Sequence, residues 1–342
     1  NKGVHTVNIG TDAGRYNDKD NSINIGYFSG RNSDGISAIN IGTYAGDNSG
    51  GNNLISIGEQ ANQNANSLNT ISIGQSSGQN NTSQNSFFAC QLSGKDAAGN
   101  YNIGIGYKAF ETGSNEYNTA IGAYSLSKVT TRENVGVGAY TLKNTTTGIE
   151  NTALGTSAGE FNVTGERNVY LGWRAGYVNN GSANVLIGES ASDQSLNASS
   201  NTGVGTRVLH DNGYGNRNVA VGGIALYYAQ TMLATTMVTG QSYMIVNPID
   251  TDFTILGSPD NNAQTIFTYN GNPIGGIGTV RDLSTPPNDN VAVGYAAGRF
   301  VGNGSGNVFL GNYAGDYVAA SGLSNKLYIA NSNTATPLIG GD

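Results

Sequence analysis

Few residues in this chain are equipped for chemistry. The acids Glu111, Glu116, Glu150, Glu160, Glu166 and Glu189 are the raw material for a carboxylate pair that could hydrolyse a glycosidic bond. They fall mainly in turns, however, and share no slot on a strand face. Neither His5 nor His210 has an evident catalytic partner. Two His and one Cys are too few for a His/Cys metal site or a disulfide framework. Asp18-Lys19-Asp20 and Asn32-Ser33-Asp34-Gly35 carry oxygen ligands but lack the spacing and closing Glu of an EF-hand loop, so they read as turns. Catalysis, metal and cofactor are therefore not expected, and Cys90, beside Phe87 and Phe88, is expected to be a buried, inert thiol. Recognition chemistry remains. Tyr27, Phe28, Tyr44, Tyr107, Tyr124, Tyr140, Trp173, Tyr295 and Tyr313 all follow a recurring Gly by one or two positions. Stacked, they form an aromatic strip suited either to sugar rings or to seams between subunits. The candidate binding residues are Trp173, Arg174, Tyr124 and Tyr140, with Tyr243 and Tyr269 from a compositionally distinct segment.

Composition bounds what carries these residues. Only 11% of the 342 residues are charged and 51 are Gly, against about 25% and 7% in ordinary domains. The glycines follow no triplet, which excludes collagen. A net charge of −7 argues against a nucleic-acid partner. The longest apolar run, at Ile224–Ala229, is far shorter than the ~20 residues that span a bilayer, so membrane insertion is not expected. The chain opens at Asn1 without Met, which reads as a processed or partial product.

A short strand ending in Gly recurs at Gly10, Gly26, Gly42, Gly58, Gly74, Gly106, Gly122, Gly138, Gly155, Gly172, Gly188, Gly205 and Gly222, then at Gly294 and Gly311. Spacings within each run are 16 or 17, with Cys90 filling the slot between Gly74 and Gly106, and Ala330 ending the series. Such a period is too short for a strand plus a helix, so each unit is one coil of a parallel β-solenoid pairing only with its neighbours. Residues one and three before the Gly are mostly Ile, Val or Leu and share a strand face, read as facing the core. The residue between them runs Asn8, Asn24, Asn40, Ser56, Ser72, Phe88, Gly104, Ala120, Gly136, Ala153, Tyr170, Leu186 and onward. Pointing outward, this polar-to-apolar row reads as the face that meets other subunits. Asn four before the Gly, from Asn102 to Asn307, predicts an amide ladder. Four after the Gly, a second Gly often supplies positive φ. Phe110, Leu126, Leu142, Leu209 and Leu226 replace it in five units, whose corners are expected not to need that conformation.

The Asn-x-[Val/Ala]-x-[Ile/Val/Leu]-Gly unit with a small residue three positions later resembles the heads of trimeric autotransporter adhesins, and its Ala-Gly-rich form resembles repeats of phage tail fibres. The resemblance covers about 280 residues of the chain. It implies left-handed β-rolls, three chains around one axis. The ending Asn325-Lys-Leu-Tyr-Ile-Ala-Asn-Ser resembles the stretch that in phage fibres precedes a self-cleaving chaperone domain.

Between Gly222 and Gly294 the repeat lapses and five of the six Pro appear. Strands are expected at Gln241–Val246, Asp252–Leu256, Thr265–Tyr269 and Gly278–Asp282, separated by Asn-Pro, Ser-Pro-Asp and Gly-Asn-Pro turns. The Ser-Tyr-x-Ile-Val … Thr-Asp-Phe-Thr-x-Leu-Gly pattern resembles a module found in phage structural proteins. The expected organisation is thus β-roll over 1–228, a small inserted β domain over 229–287, and β-roll resumed over 288–342, about 17 coils in all. The expected function is that of a non-enzymatic extracellular fibre, a homotrimer in a phage-like tail. It would join other fibre or tail proteins and attach to a host-surface glycan or protein receptor. The alternatives are a bacterial surface adhesin or filament subunit and, third, a polysaccharide depolymerase.

Overall fold

The computed structural model describes residues 4–17, 19–227, 232–233, 237, 239–247, 251–262, 266–273, 279–282, 287–302, 304–316, 324–332 and 337–341. The described chain is all-β, built of parallel β-solenoid coils with no α-helix among the described residues. It divides into two compact units, Asn1–Trp173 and Arg174–Asp342.

The first unit holds eleven three-residue strands, from β1 (Val7–Ile9) to β11 (Val169–Leu171). Within the unit, successive strands pair in parallel without slippage, so that Ile55 faces Ile71 and Ser56 faces Ser72. The second unit continues this pattern in β12 (Val185–Ile187), β13 (Thr202–Val204) and β14 (Val219–Val221). Its β14 then pairs directly with Val291–Val293, which pairs with Val308–Leu310 and so with Leu327–Ile329. The lapse in the repeat thus leaves the stack in register. Within the lapse, Met232–Leu233, Ser242–Asn247, Ile266–Thr268 and Thr279–Asp282 form an antiparallel four-stranded sheet. The strand expected at Asp252–Leu256 is instead a 3-10 turn at Phe253–Leu256. Asp252 caps it by accepting from the Thr254 amide, and Gly257, at φ +104°, ends it.

All fifteen repeat glycines lie at φ between +115° and +141°. Positive φ is only half the reason for Gly here. A Cβ on Gly58 would sit 2.6 Å from the Gly74 carbonyl oxygen of the next coil, so stacked backbones touch at this corner. Cys90 occupies the slot at φ +86° and, contrary to the expected burial, is exposed.

The strands face opposite to the sequence reading. Their middle residues are buried in every coil from β2 (Ile23–Ile25) to Val308–Leu310, whereas the flanking Ile, Val and Leu are half-buried or exposed. Ile73, Val169 and Val293, for example, are 39%, 39% and 40% exposed. The middle row therefore fills the inside of the coil and is not a face toward other subunits. A coil this small has room for one inward side chain per strand. In the first coils that row is polar: the Asn24 amide donates to Asn8 Oδ1 at 2.8 Å, and Asn40 donates to Asn24 Oδ1 at 2.9 Å. Farther along it is apolar, and Tyr170 is fully buried, with desolvation pushing its hydroxyl pKa upward.

The corners carrying Phe110, Leu126, Leu142, Leu209 and Leu226 do adopt positive φ, from +47° to +53°, which corrects the expectation. These five side chains are 0–2% exposed and point into the coil where the strand supplies only Gly104, Ala120, Gly136, Gly203 or Ala220. Filling that space outweighs a backbone strain of about 1–2 kcal/mol. The Asn ladder forms and is buried. Asn134 Oδ1 accepts from the backbone amide and from Nδ2 of Asn151, both at 3.1 Å, and Asn151 Nδ2 also donates to the Gly165 carbonyl at 2.8 Å. In the second unit Asn184, Asn201, Asn218, Asn290 and Asn307 repeat the scheme.

Candidate binding surface

The corner after each repeat Gly carries most of the aromatic candidates, because the first two residues past the Gly turn outward while the third packs inside. Tyr107 lies edge-on to Tyr124 (centroids 5.3 Å apart, 87°), and Tyr124 stacks on Tyr140 (5.3 Å, 7°). Lys143 Nζ lies 5.4 Å from the first of these stacked rings and 5.1 Å from the second. Partial desolvation, then the neighbouring Tyr107 hydroxyl, raises the Tyr124 pKa. The structure thus brings Tyr124 and Tyr140 together. Trp173 is 49% exposed at the same corner of its coil. Arg174 lies over the Tyr177 ring at 4.1 Å and pairs with the nearly buried Asp193 at 3.2 Å.

Tyr243 and Tyr269 do not form a binding face. Exposed by 0% and 7%, they belong with Ile245, Phe253, Leu256 and Phe267 to the core of the antiparallel sheet. A small sheet has few residues to spare for a core, so its aromatics turn inward.

Sequence reading missed a constellation built once in each unit. In the first, Tyr27 lies edge-on to Tyr44 (5.7 Å, 85°) and Arg31 forms a two-bond pair with Asp47, Nε–Oδ1 and Nη2–Oδ2 both 3.0 Å. In the second, Tyr295 lies edge-on to Tyr313 (5.4 Å, 80°) and Arg299 forms the same pair with Asp316 at 2.8 and 3.0 Å. A ring covers each guanidinium: Phe28 at 4.0 Å over Arg31, Phe300 at 4.5 Å over Arg299. The signal was present as Gly-Tyr-x-[Ser/Ala]-Gly-Arg in one coil and Gly-x-Tyr-Ala-Gly-Asp in the next, at 26–31 with 42–47 and at 294–299 with 311–316. Tyr101 and Tyr117, stacked at 5.2 Å and 2° and about half exposed, were also missed because they precede the repeat Gly.

The second surface is the pair of outward Ile/Val/Leu rows. Beside them, between Asn69, Asn85 and Tyr101 and the row residues Ile71, Phe87 and Ile103, lies an open groove of about 480 Å³. No helix among the described residues is long and apolar enough to cross a membrane. No known family model, curated protein or solved structure matches the chain.

Proposed function

We propose that the chain is a non-enzymatic structural and adhesive fibre, assembled as a homotrimer of β-rolls and serving, in a phage-like tail, to attach to a host-surface glycan or protein. The observation that carries this reading is the pair of outward apolar rows. Soluble monomers rarely expose contiguous apolar surface of this kind, and the side chains repeat in register from coil to coil. A second and third copy of the same rows would cover them, since a repeated row is complementary to itself under rotation. The sheet at 232–282 would then be a small domain carried at the side of the roll, and the corner tyrosines would stay outside the covered rows. Three chains carrying the same sites would raise avidity without new contacts.

The test is the native mass by light scattering with a parallel assay of polysaccharide integrity. The reading predicts about 106 kDa, three times the 35.3 kDa chain, and unchanged polymer length. A mass of one chain, or a polymer shortened on incubation, would overturn it.

A further inference from the structure

We infer that the two Tyr/Tyr/Arg/Asp corners are carbohydrate-binding subsites for uncharged pyranose sugars, one in each unit. This deepens the adhesive part of the proposed function and rests on it.

The case begins with what the residues are arranged to offer. Tyr27 and Tyr295 are 45% and 49% exposed, and each meets the second tyrosine nearly at right angles. A tilted, half-exposed ring presents apolar surface to the C–H face of a sugar ring. Four residues after each comes a guanidinium, 26% exposed in Arg31, which lies 6.0 Å from the Tyr44 ring, and 27% exposed in Arg299. In each, Nε and Nη2 are held by a carboxylate that is only 1% exposed, which fixes the plane of the fork. Its remaining donors are thereby aimed rather than mobile, and a planar, oriented donor suits hydroxyl oxygens.

Charge then selects among ligands. Arg31 is neutralised by Asp47 and Arg299 by Asp316, so neither corner offers net positive charge to an acidic sugar, and the whole chain carries −7. An uncharged polyhydroxyl ligand meets no such penalty. Recurrence is the final support. An ion pair needed only for stability has no reason to bring the same edge-on tyrosine pair with it twice, with a Phe ring over each guanidinium, from a different slot in each corner. Elsewhere the edge-on pair at Tyr107 and Tyr124 has Lys108 with Glu111 beside it, a looser version of the same grouping.

The test uses the full chain with maltohexaose, cellohexaose and chitohexaose as probes, read by saturation-transfer NMR from the tyrosine ring protons, with polygalacturonate as the acidic comparison. Transfer to at least one neutral probe is expected. Tyr27→Ala or Tyr295→Ala should each remove about half of the transfer, and the double variant at least nine-tenths of it, since each site binds a probe independently. Melting temperature and native mass of the double variant should match the parent. Absence of transfer to all three neutral probes, preference for polygalacturonate, or transfer unaltered in the double variant would overturn the inference. So would loss of the oligomer in that variant, which would make these tyrosines contacts between chains. A parent protein that is monomeric yet binds through these tyrosines would instead count against the fibre reading and leave the subsites standing.

Discussion

The ring of Phe88 occupies the space that a side chain on Gly94 would need: a Cβ built on Gly94 falls 2.3 Å from Phe88 Cγ. The two positions are six residues apart, and the same pair of slots recurs along the chain with its sizes exchanged. Phe309 stands with Gly315, whereas Gly104 stands with Phe110, Ala120 with Leu126, and Gly203 with Leu209. The interior of each coil is filled once, from either slot.

Exchange of sizes should therefore be tolerated where loss is not. Phe88→Ala is expected to cost about 3–5 kcal/mol through the cavity it leaves. Gly94→Leu alone should cost at least as much by overpacking. The double variant, which reproduces the Ala120/Leu126 arrangement, should recover more than half of the Phe88→Ala loss. Urea melts of the four proteins check this, and additive losses would contradict it.

The buried amide ladder should be intolerant of truncation. Asn151→Ala removes the buried acceptor that serves both the backbone amide and Nδ2 of Asn168, and one of the two donors to the Gly165 carbonyl, which keeps Asn162 Nδ2. A loss of about 2–4 kcal/mol is expected, with Asn151→Ser recovering only part of it. Denaturant midpoints would reveal the effect, and a loss under about 0.5 kcal/mol would show that the ladder contributes little.

Cys90 stands where the repeat has Gly, at a positive φ that a side chain resists and in an exposed position. Cys90→Gly should therefore raise stability by about 0.5–1 kcal/mol, and the native thiol should react with a thiol reagent without denaturant. A thermal melt and a thiol titration measure the two, and a thiol that reacts only after unfolding would contradict the second.

Asp193 gives a pH dependence of definite sign. Burial raises its pKa, against the lowering effect of Arg174 and then His210. The folded state therefore holds this proton more tightly than the unfolded one. Its contribution is fully present below the unfolded carboxylate value of 3.8 and is lost as pH rises through the higher folded value. Asp193→Asn should remove that component, so stability of the variant should fall less than that of the parent as pH rises above 3.8. Identical slopes would contradict the assignment.

Most of the fold was legible because one short unit is repeated so many times. Gly at a fixed interval, with Ile or Val one and three places earlier, placed the strand of each coil and its register, although two short strands per coil were expected and the described coils hold one. Alternation, however, says only which residues share a face, and Ile39 and Ile41 were read as inward because they are apolar. In the structure Asn40 lies inside and Ile41 outside. The narrow interior decides the matter, and no single coil shows its width. The αL corners were misread for a related reason. Leu126 looks incompatible with positive φ until Ala120 is seen to leave its space empty. The tyrosines at 124 and 140 were legible as a strip, while the Arg31–Asp47 and Arg299–Asp316 corners need two coils to be read together.

The central claim is that the outward Ile/Val/Leu rows meet the same rows of other chains. Nitroxide labels on Val137→Cys, placed in a Cys90→Gly background, test it most directly through the dipolar coupling between chains. Packed β faces lie about 10 Å apart, so labels on these rows should couple strongly at roughly 10–20 Å, while labels on Lys128→Cys, outside the rows, should not. Strong coupling at 137 with none at 128 is the predicted result. Absence of coupling at 137, whether from a monomer or from an assembly joined elsewhere, would contradict the account.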